Sequence, residues 1–343
     1  MAYQVDIIDV TLRDGSNAVD FQFSKEETYG VVKGLTDADV RWIELGHGYG
    51  LNASNVSKPA KETDETYIRT ARDAAGDRAK IGCFFSLGKG RVEDLYTAKA
   101  WGLDFVRIGP NATMQDVERA LPYVEEAKKA GLIAHACIRK AYVSTPDTFS
   151  KLVTRLAEAG CDHAMIMDSA GNLLPNQVKE YVFACKDALR GNSDIKIGFH
   201  GHDNMGLAVA NSLAAVEAGV DSVDTCLNGL GRSAGNANTA CVVAALKRMG
   251  LCRELDLNAL LDTGDRWIGN RAKDTLESIA LIYGYAGFHS AFSGIMKQAA
   301  AKYGVDPRTL VVESCKVDRV DPSQALFEEL AAALSSEKEG GQA

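Results

Sequence analysis

Short apolar runs rich in β-branched residues alternate with amphipathic helical stretches along residues 5–250 of the chain. This alternation predicts repeated βα units and a parallel sheet, because parallel strands need a crossover connection, which is usually a helix. Eight equivalent units favour a closed (β/α)8 TIM barrel over an open, doubly wound sheet. The eight runs are VDIIDV (5–10), VRWIELG (40–46), KIGCFFS (80–86), DFVRIG (104–109), LIAHACI (132–138), HAMIMD (163–168), IKIGFH (195–200) and DSVDTC (221–226).

The sequence after Gly250 has helical patterns and no further strand-like runs. We therefore expect an α/β protein with a TIM-barrel catalytic domain over residues 1–250 and a helical C-terminal domain over residues 251–336. The last residues, 337–343, read EKEGGQA, and we expect them to form a disordered tail.

The composition excludes several classes of protein. With 46% hydrophobic and 24% charged residues, the 343-residue chain resembles an ordinary globular protein and is not intrinsically disordered. Its net charge of −8 and its lack of Lys/Arg clusters give no footprint for nucleic acid. Neither a signal-peptide pattern nor an apolar stretch of about 20 residues is present, so we expect a cytoplasmic protein that binds no membrane. Its eight cysteines are scattered without a CxxC pair, which is typical of buried hydrophobes.

Polar residues that follow the strands deserve most weight, because catalytic groups of such barrels lie at the carboxyl ends of the strands. Strand one is followed by Arg13 and Asp14, and strand seven ends in His200-Gly201-His202. Side chains two apart in an extended segment lie on one face, so both histidines are expected to point inward. With Asp14 they would form a three-ligand site for a divalent cation, either Mn²⁺, Mg²⁺, Zn²⁺ or Co²⁺. The alternative is that the histidines are ordinary polar residues at the start of a loop.

Other residues at strand ends have two interpretations each. Arg13 either pairs with a neighbouring carboxylate or, as we favour, stabilises a developing enolate or alkoxide beside the metal. Asp168 and Ser169, after strand six, either orient a metal-ligating histidine or cap the loop. His47 follows strand two and either lines the site or has no part in it. The glycine-rich run 228–236 after strand eight offers backbone N–H groups to an anion, and it does not fit a dinucleotide-binding motif.

Taken together, three motifs resemble a known superfamily of metal-dependent lyases and synthases. They are TLRDG (11–15), HGHDN (200–204) and GLGRSAGN (229–236). The superfamily includes isopropylmalate synthase, homocitrate synthase, hydroxymethylglutaryl-CoA lyase and the class II 4-hydroxy-2-oxovalerate aldolases. The aldolases are most similar, because IELGHGYGL (43–51), the unit that begins FHGHDNMGL (199–207) and GYAGFHSAF (284–292) also resemble their sequences.

The resemblance implies a function and the roles of individual residues. Asp14, His200 and His202 are expected to bind the metal, which is Mn²⁺ in the first instance, and Arg13 to steady the pyruvate enolate. The implied reaction is the reversible aldol cleavage of a 4-hydroxy-2-oxo acid to pyruvate and an aldehyde through a metal-stabilised enolate. The implied partner is an acylating aldehyde dehydrogenase that docks on the helical region, although those helices could instead mediate a homo-oligomer or cover the barrel.

The chain departs from the aldolase pattern at two positions. Asn17 stands where the aldolases carry a histidine thought to be the catalytic base, and His289 stands where they carry a tyrosine. An amide cannot exchange a proton near pH 7, so we predict that His289 takes over this proton transfer. His47 is the next candidate for that role. Ser169 is a predicted substrate-binding residue, and Phe84 and Phe85 are predicted to make the aldehyde pocket bulky and aromatic.

Two other functions compete with the aldolase. A Claisen-type synthase that condenses an acyl-CoA with a 2-oxo acid would share the metal site, but TLRDG is typically followed there by Glu-Gln rather than by Ser16-Asn17. A catalytically inactive partner subunit of an aldehyde dehydrogenase would explain Asn17. The intact Arg13-Asp14 and His200-Gly201-His202 motifs argue against this last alternative.

Overall fold

The computed structural model describes residues 4–190, 194–272 and 277–340. Eight parallel strands follow one another in chain order around a closed barrel, and β8 pairs with β1. The TIM-barrel prediction is therefore confirmed. The strands are β1 (Asp6–Leu12), β2 (Trp42–Leu45), β3 (Lys80–Ser86), β4 (Phe105–Gly109), β5 (Ile133–Ile138), β6 (His163–Asp168), β7 (Lys196–Gly201) and β8 (Ser222–Thr225).

Helices follow the strands and cover the outside of the barrel. Their start signals are local, as in α1, where Ser24 and Glu27 form a capping box that satisfies backbone N–H groups of the first turn. The covering helices are α1 (Lys25–Asp37), α2 (Ala53–Val56), α3 (Asp64–Ala75), α4 (Val92–Trp101), α5 (Met114–Lys129), α6 (Pro146–Glu158), α7 (Pro175–Ala188), α8 (Ala208–Glu217) and α9 (Thr239–Arg248).

Alternate residues of each strand point into the barrel, and some of these are charged. In β4, for example, Phe105 packs edge-on against Trp42 near the amino-terminal end of the barrel, and Arg107 follows on the same face. Arg107 lies in register with Phe84 of β3 and His135 of β5. The interior is therefore apolar and aromatic at one end and charged further toward the carboxyl ends of the strands.

The C-terminal region is helical, as predicted. It contains α10 (Leu257–Trp267), α11 (Ser278–Ala286), α12 (Ser293–Tyr303), α13 (Pro307–Val317) and α14 (Gln324–Gly340). Leu260 and Ile268 belong to the barrel core, whereas residues from Tyr283 to Ala331 form a second core of their own. This packing places α10 with the barrel and favours a boundary between Ile268 and Ser278 rather than at 250. The division into two domains itself stays a prediction.

The end of the chain differs from the expected tail. Helix α14 continues to Gly340, which is four residues beyond the predicted helical boundary at 336. Residues 341–343 lie outside the described residues. No helix in the described part of the chain is long and apolar enough to cross a membrane.

Two glycines of α1 explain how closely α10 packs on it. A Cβ atom at Gly34 would lie 2.3 Å from Thr263 Oγ1, and one at Gly30 would lie 2.1 Å from the ring of Trp267. We predict that Gly34→Ala lowers the free energy of unfolding by about 1–3 kcal/mol through overpacking, although alanine favours helices. In α12, a Cβ atom at Gly294 would meet nothing within 4 Å, so Gly294→Ala should raise the free energy of unfolding by about 0.5 kcal/mol. Urea unfolding of both variants measures this, and a stabilised Gly34→Ala would contradict the packing.

Candidate metal centre

Three buried side chains meet at the carboxyl ends of β1 and β7. Asp14 follows β1, His200 lies near the end of β7, and His202 follows it. One carboxylate oxygen and one nitrogen from each ring all lie within 4.8 Å of one another. The structure thus brings together the three residues that the sequence predicts as metal ligands.

Hydrogen bonds fix the orientation of both histidine rings. The Nδ1 atom of His200 lies 2.9 Å from an Asp224 carboxylate oxygen, and Nδ1 of His202 lies 3.1 Å from the Gly235 carbonyl oxygen. Because both partners only accept, each Nδ1 carries a proton, and this tautomer of each ring has its lone pair on Nε2. The two Nε2 atoms face each other at 3.5 Å. Neither can donate to the other in this state, so the pair fits a cation that accepts both lone pairs.

The charges of the ligand residues agree with this arrangement. Burial lowers the pKa of His202 to about 4, so the ring is neutral near pH 7. Burial opposes ionisation of Asp14, but Arg13, His202 and His200 hold the pKa of that carboxyl well below its usual range. Arg13 Nη1 and Asn236 Nδ2 each donate to Asp14 at 2.7 Å. One carboxylate and two imidazoles form a donor set suited to a divalent metal.

A chain of alternating charges lies behind the ligands. Arg13 Nε donates to Glu44 Oε2 at 2.8 Å, and Arg107 Nη1 donates to the same oxygen at 2.9 Å. Arg107 Nη2 in turn donates to Asp224 Oδ2 at 2.7 Å, the oxygen that faces His200. The members in order are Asp14, Arg13, Glu44, Arg107, Asp224 and His200, all of them buried. We call this set the charge chain, and both of its ends are predicted metal ligands.

Sequence reasoning missed the middle of the charge chain. Glu44, Arg107 and Asp224 lie inside the apolar runs VRWIELG, DFVRIG and DSVDTC, and the pattern of these runs predicts strands but no role for the three charges. Charged residues at inward positions of a closed barrel must find partners, because an unpaired buried charge is costly. That requirement was the signal that could have identified them.

Arg13 keeps one donor free at the site. Its Nη2 atom is buried and has no hydrogen-bond partner among the residues that the structure describes, while Nε and Nη1 are held by carboxylates. The guanidinium carbon lies 4.8 Å from the centre of the Phe84 ring, which packs inside the barrel with Cys137 and Met167. A rigid, partly unsatisfied guanidinium can stabilise an oxygen that gains negative charge.

Phe85 does not face the site, contrary to the prediction for the aldehyde pocket. Because side chains alternate along a strand, consecutive residues cannot both point inward, and Phe84 takes the inward position. Phe85 instead contacts Tyr123 of α5 in the layer between the barrel and its helices, with ring centres 5.0 Å apart.

His47 has no nitrogen available for proton transfer. Its Nδ1 accepts from Tyr49 N at 3.0 Å, and Nε2 lies 2.9 Å from the Lys58 carbonyl oxygen, to which it donates. The ring stacks on Phe21 with centres 3.9 Å apart. The structure thus gives His47 a structural role in the loop after β2.

The residues after β6 are occupied by loop contacts. Asp168 accepts from the backbone N–H groups of Asn172 and Leu173, both at 2.9 Å, so it caps the loop as one of the two sequence interpretations had it. Burial raises the pKa of Asp168 to about 6. Ser169 is buried and its hydroxyl accepts from Lys140 N at 2.9 Å. Its predicted contact with substrate stays a prediction.

His289 begins the short turn Ser290–Phe292 and is half-buried. Its Nδ1 accepts from Ala291 N at 3.1 Å, so the neutral ring carries its proton on Nε2. Burial, followed by the charges of Arg232 and Lys140, lowers the pKa of His289 well below its usual value. The charge of His202, one of the predicted metal ligands, is a smaller cause of the same shift. The neutral ring can act as a hydrogen-bond donor through Nε2. This geometry disfavours the predicted role as base.

Asn17 is held between the first loop and the loop after β8. Its Nδ2 donates to the Asp14 carbonyl oxygen at 2.9 Å, and its side-chain oxygen accepts from Arg232 Nη2 at 2.5 Å. It therefore supports the loop that carries the metal-ligand aspartate.

We predict that His200→Ala and His202→Ala each lose most of the divalent metal that the wild-type protein retains after dialysis. Each substitution removes one of three donors, and the remaining two bind more weakly. Elemental analysis of purified variants provides the measurement. Asp262→Ala, which removes an exposed carboxylate of α10, serves as the control and should keep wild-type metal content. Full metal content in both histidine variants would rule out this site.

Comparison with known proteins identifies matching family models and several relatives of this chain. Residues 4–266 match the model of the HMGL-like family, and residues 275–335 match that of the DmpG-like communication domain. The 4-hydroxy-2-oxovalerate aldolase of Brevibacillus brevis is 33% identical over 98% of this chain and 97% of its own. A protein of Mycobacterium tuberculosis named oxaloacetate decarboxylase is 34% identical over 90% of each chain.

A solved structure supports the fold. The HMG-CoA lyase of Brucella melitensis superimposes with a TM-score of 0.66 at 19% identity, covering 80% of this chain and 100% of that one. The resemblance to the 4-hydroxy-2-oxovalerate aldolases that the three motifs indicate is confirmed by relatives that match nearly the whole chain. The chain belongs to the HMGL-like family, and it carries a DmpG-like communication domain after its barrel.

Proposed function

We propose that this protein is a divalent-metal-dependent aldolase, a carbon–carbon lyase that cleaves or forms a 4-hydroxy-2-oxo acid from pyruvate and an aldehyde. The observation that carries the proposal is the buried, unpartnered Nη2 of Arg13 beside the cluster of Asp14, His200 and His202. Relatives named 4-hydroxy-2-oxovalerate aldolase support the same reaction.

The metal would be held by Asp14, His200 and His202. The mixed oxygen and nitrogen donors suit Mn²⁺, our first candidate, and are compatible with Mg²⁺, Co²⁺ or Zn²⁺. When bound, the cation acts as a Lewis acid that polarises the 2-oxo group of the substrate. Asp224 and Gly235 hold the two imidazoles in the orientation that this binding needs.

Arg13 supplies the fixed positive charge for the bond-breaking step. As the C3–C4 bond breaks, its electron pair forms the C2=C3 double bond, and the carbonyl π pair moves onto the 2-oxo oxygen. The pyruvate enolate forms in this way, and loss of the 4-hydroxyl proton gives the aldehyde. The Nη2–H group of Arg13 can donate to this oxygen, while Asp14 and Glu44 keep the guanidinium from moving. A preorganised donor of this kind needs no rearrangement as the charge develops. Protonation of the enolate at C3 then gives pyruvate.

The proton of the 4-hydroxyl group has no evident acceptor among the side chains placed at the mouth. Asn17 is an amide, and His289 uses its Nδ1 lone pair for Ala291 N. We infer that this proton leaves through water rather than through either side chain.

The free Nη2 donor of Arg13 beside the predicted ligand cluster also suits a second candidate, the decarboxylation of oxaloacetate. Loss of CO₂ from C4 gives the same pyruvate enolate, and it requires no base because no 4-hydroxyl proton is removed. A relative at 34% identity carries the name oxaloacetate decarboxylase. The Claisen-type synthase and the inactive subunit gain no such support. Rates with oxaloacetate and with a 4-hydroxy-2-oxo acid, measured on one preparation, decide between the two candidates.

The unit of α11–α14 is the proposed docking site for an acylating aldehyde dehydrogenase. Its separate core and its match to a communication domain support this partner. A homo-oligomer built through the same helices is the alternative.

We predict that the protein exchanges the methyl protons of pyruvate for deuterium in D₂O without any aldehyde, because enolate formation does not require the acceptor. NMR with Mn²⁺, Mg²⁺, Co²⁺ or Zn²⁺ supplied measures the exchange, after removal of Mn²⁺ where it broadens the signal. Arg13→Lys keeps a charge but loses the forked donor, and it should slow exchange by about 10²- to 10³-fold. Arg69→Met, a substitution in an exposed pair on α3, should exchange at the wild-type rate. Absence of exchange with all four metals would exclude the aldolase.

The role of His289 can be separated with His289→Asn. Asparagine is a good N-cap and retains an N–H donor, but it cannot accept a proton near pH 7. If the ring serves only as a cap and donor, as its contacts indicate, the cleavage rate should fall by less than about 10-fold. A loss of about 10²- to 10⁴-fold in steady-state cleavage would instead establish the base role first predicted from the sequence.

A further inference from the structure

Three cationic side chains at the mouth of the barrel form no ion pair with a carboxylate anywhere in the described ranges. Lys140 Nζ donates to the Val320 carbonyl oxygen, and Arg232 Nη2 donates to the amide oxygen of Asn17. Arg139 has no hydrogen bond from its guanidinium to any residue that the structure describes, and its Nε is buried. No carboxylate among the described residues thus contacts these three cations directly, although Asp318 and Asp321 act on Lys140 from a greater distance.

The guanidinium of Arg139 lies on the inner side of the barrel. Cys137 of β5 points inward, since its Sγ accepts from Arg107 Nε at 3.1 Å, and Arg139 is two residues further on the same face. A Cβ atom at Gly109 would lie 3.5 Å from Arg139 Nε and 2.4 Å from the Phe84 ring. Both groups thus flank Gly109, and Arg139 lies close to Phe84 and to the space above it.

The same positive charge acts on His289 in the segment 277–292. After burial, the charges of Arg232, Lys140 and Arg139 lower the pKa of His289, which keeps the imidazole neutral. Lys140 Nζ lies 5.2 Å from the centre of the Phe292 ring in the same segment.

Arg139 is half-buried with its Nε fully enclosed, and a charge that is partly withdrawn from water without a partner carries a desolvation cost. Burial lowers the pKa of Arg139, and the carboxylate that most opposes this effect is Asp116. Asp116 is already bonded to Asn111 at 2.6 Å and to Arg119 at 3.1 Å. A charged side chain kept in this state is typical of a binding site whose ligand supplies the missing anion.

We propose that Arg139 binds a carboxylate on the aldehyde portion of the substrate, so that the enzyme acts on 4-hydroxy-2-oxo acids with a second, distal carboxylate. This inference rests on the proposed aldolase function. In the closed eight-stranded barrel β5 stands opposite β1, so Arg139 faces Arg13 and Asp14 across the mouth. A substrate whose 2-oxo end lies beside Arg13 would extend past Phe84 and bring its far end to Arg139.

The test compares two acceptors of equal length in aldol addition to pyruvate, succinic semialdehyde and butanal. The wild-type protein should show a kcat/KM at least about 10-fold higher for the anionic acceptor, because a charge-assisted hydrogen bond is lost with the neutral one. Arg139→Met should abolish this preference, mainly through a higher KM for succinic semialdehyde. Arg139→Lys should retain part of it, and Arg69→Met should retain all of it.

Four results would overturn the inference. If the wild-type protein prefers butanal, or does not discriminate, while pyruvate exchange is intact, the distal carboxylate is not recognised and the aldolase stands. If Arg139→Met slows pyruvate exchange as much as addition to succinic semialdehyde, Arg139 binds the carboxylate of pyruvate instead. If Arg139→Met lowers Tm and slows aldol addition to both acceptors equally, the role of Arg139 is structural. Removal of an unpaired charge should not by itself lower Tm.

Failure of the wild-type protein to exchange pyruvate protons at all would remove the aldolase proposal and this one together.

Discussion

The charge chain inside the barrel is the interaction on which the site depends. It places two arginines between three carboxylates and ends at His200, with every member buried. Hydrophobic residues of similar size would often stabilise a barrel as well as such ion pairs do, because desolvation offsets much of their attraction. Removal of one member, however, leaves its neighbours charged and unpaired. The chain therefore fixes the geometry of the site more than it adds to the stability of the fold.

Several properties of the site follow from this arrangement. The chain connects β1, β2, β4, β8 and β7, so its five strands hold the ligands at both ends in one relative position. Asp224 fixes the tautomer of His200, and Asp14 and Glu44 immobilise Arg13 while leaving Nη2 available. Metal binding and enolate stabilisation are thus prepared by the same set of side chains. The excess positive charge near Arg139 lies outside the chain and is suited to select the substrate rather than to activate it.

The sequence predicted the barrel and the ligand residues because both depend on local patterns. Strand-like runs recur at regular spacing, and alternation alone makes His200 and His202 share a face. Glu44, Arg107 and Asp224 escaped notice because their contacts join residues as much as 117 positions apart, which only the register between strands reveals. The prediction for Phe85 is wrong because consecutive residues of a strand face opposite sides of the sheet, so only one of two adjacent phenylalanines can line the barrel. The surroundings of His47 and His289 depend on loop conformations at the mouth, which no periodicity in the sequence encodes.

The central claim is that the charge chain holds the metal ligands in their binding arrangement, and Mn²⁺ affinity in Arg107 variants tests it most directly. In the charge chain, Arg107 is separated from His200 by Asp224 alone, and Arg107 is not one of the predicted ligands. Calorimetric titration of wild-type protein, Arg107→Met, Arg107→Lys and the exposed control Arg69→Met gives the comparison, after circular dichroism has verified that each is folded. The account predicts that Arg107→Met binds Mn²⁺ about 10- to 100-fold more weakly, with Arg107→Lys between it and wild type. Wild-type affinity in a folded Arg107→Met protein would contradict it.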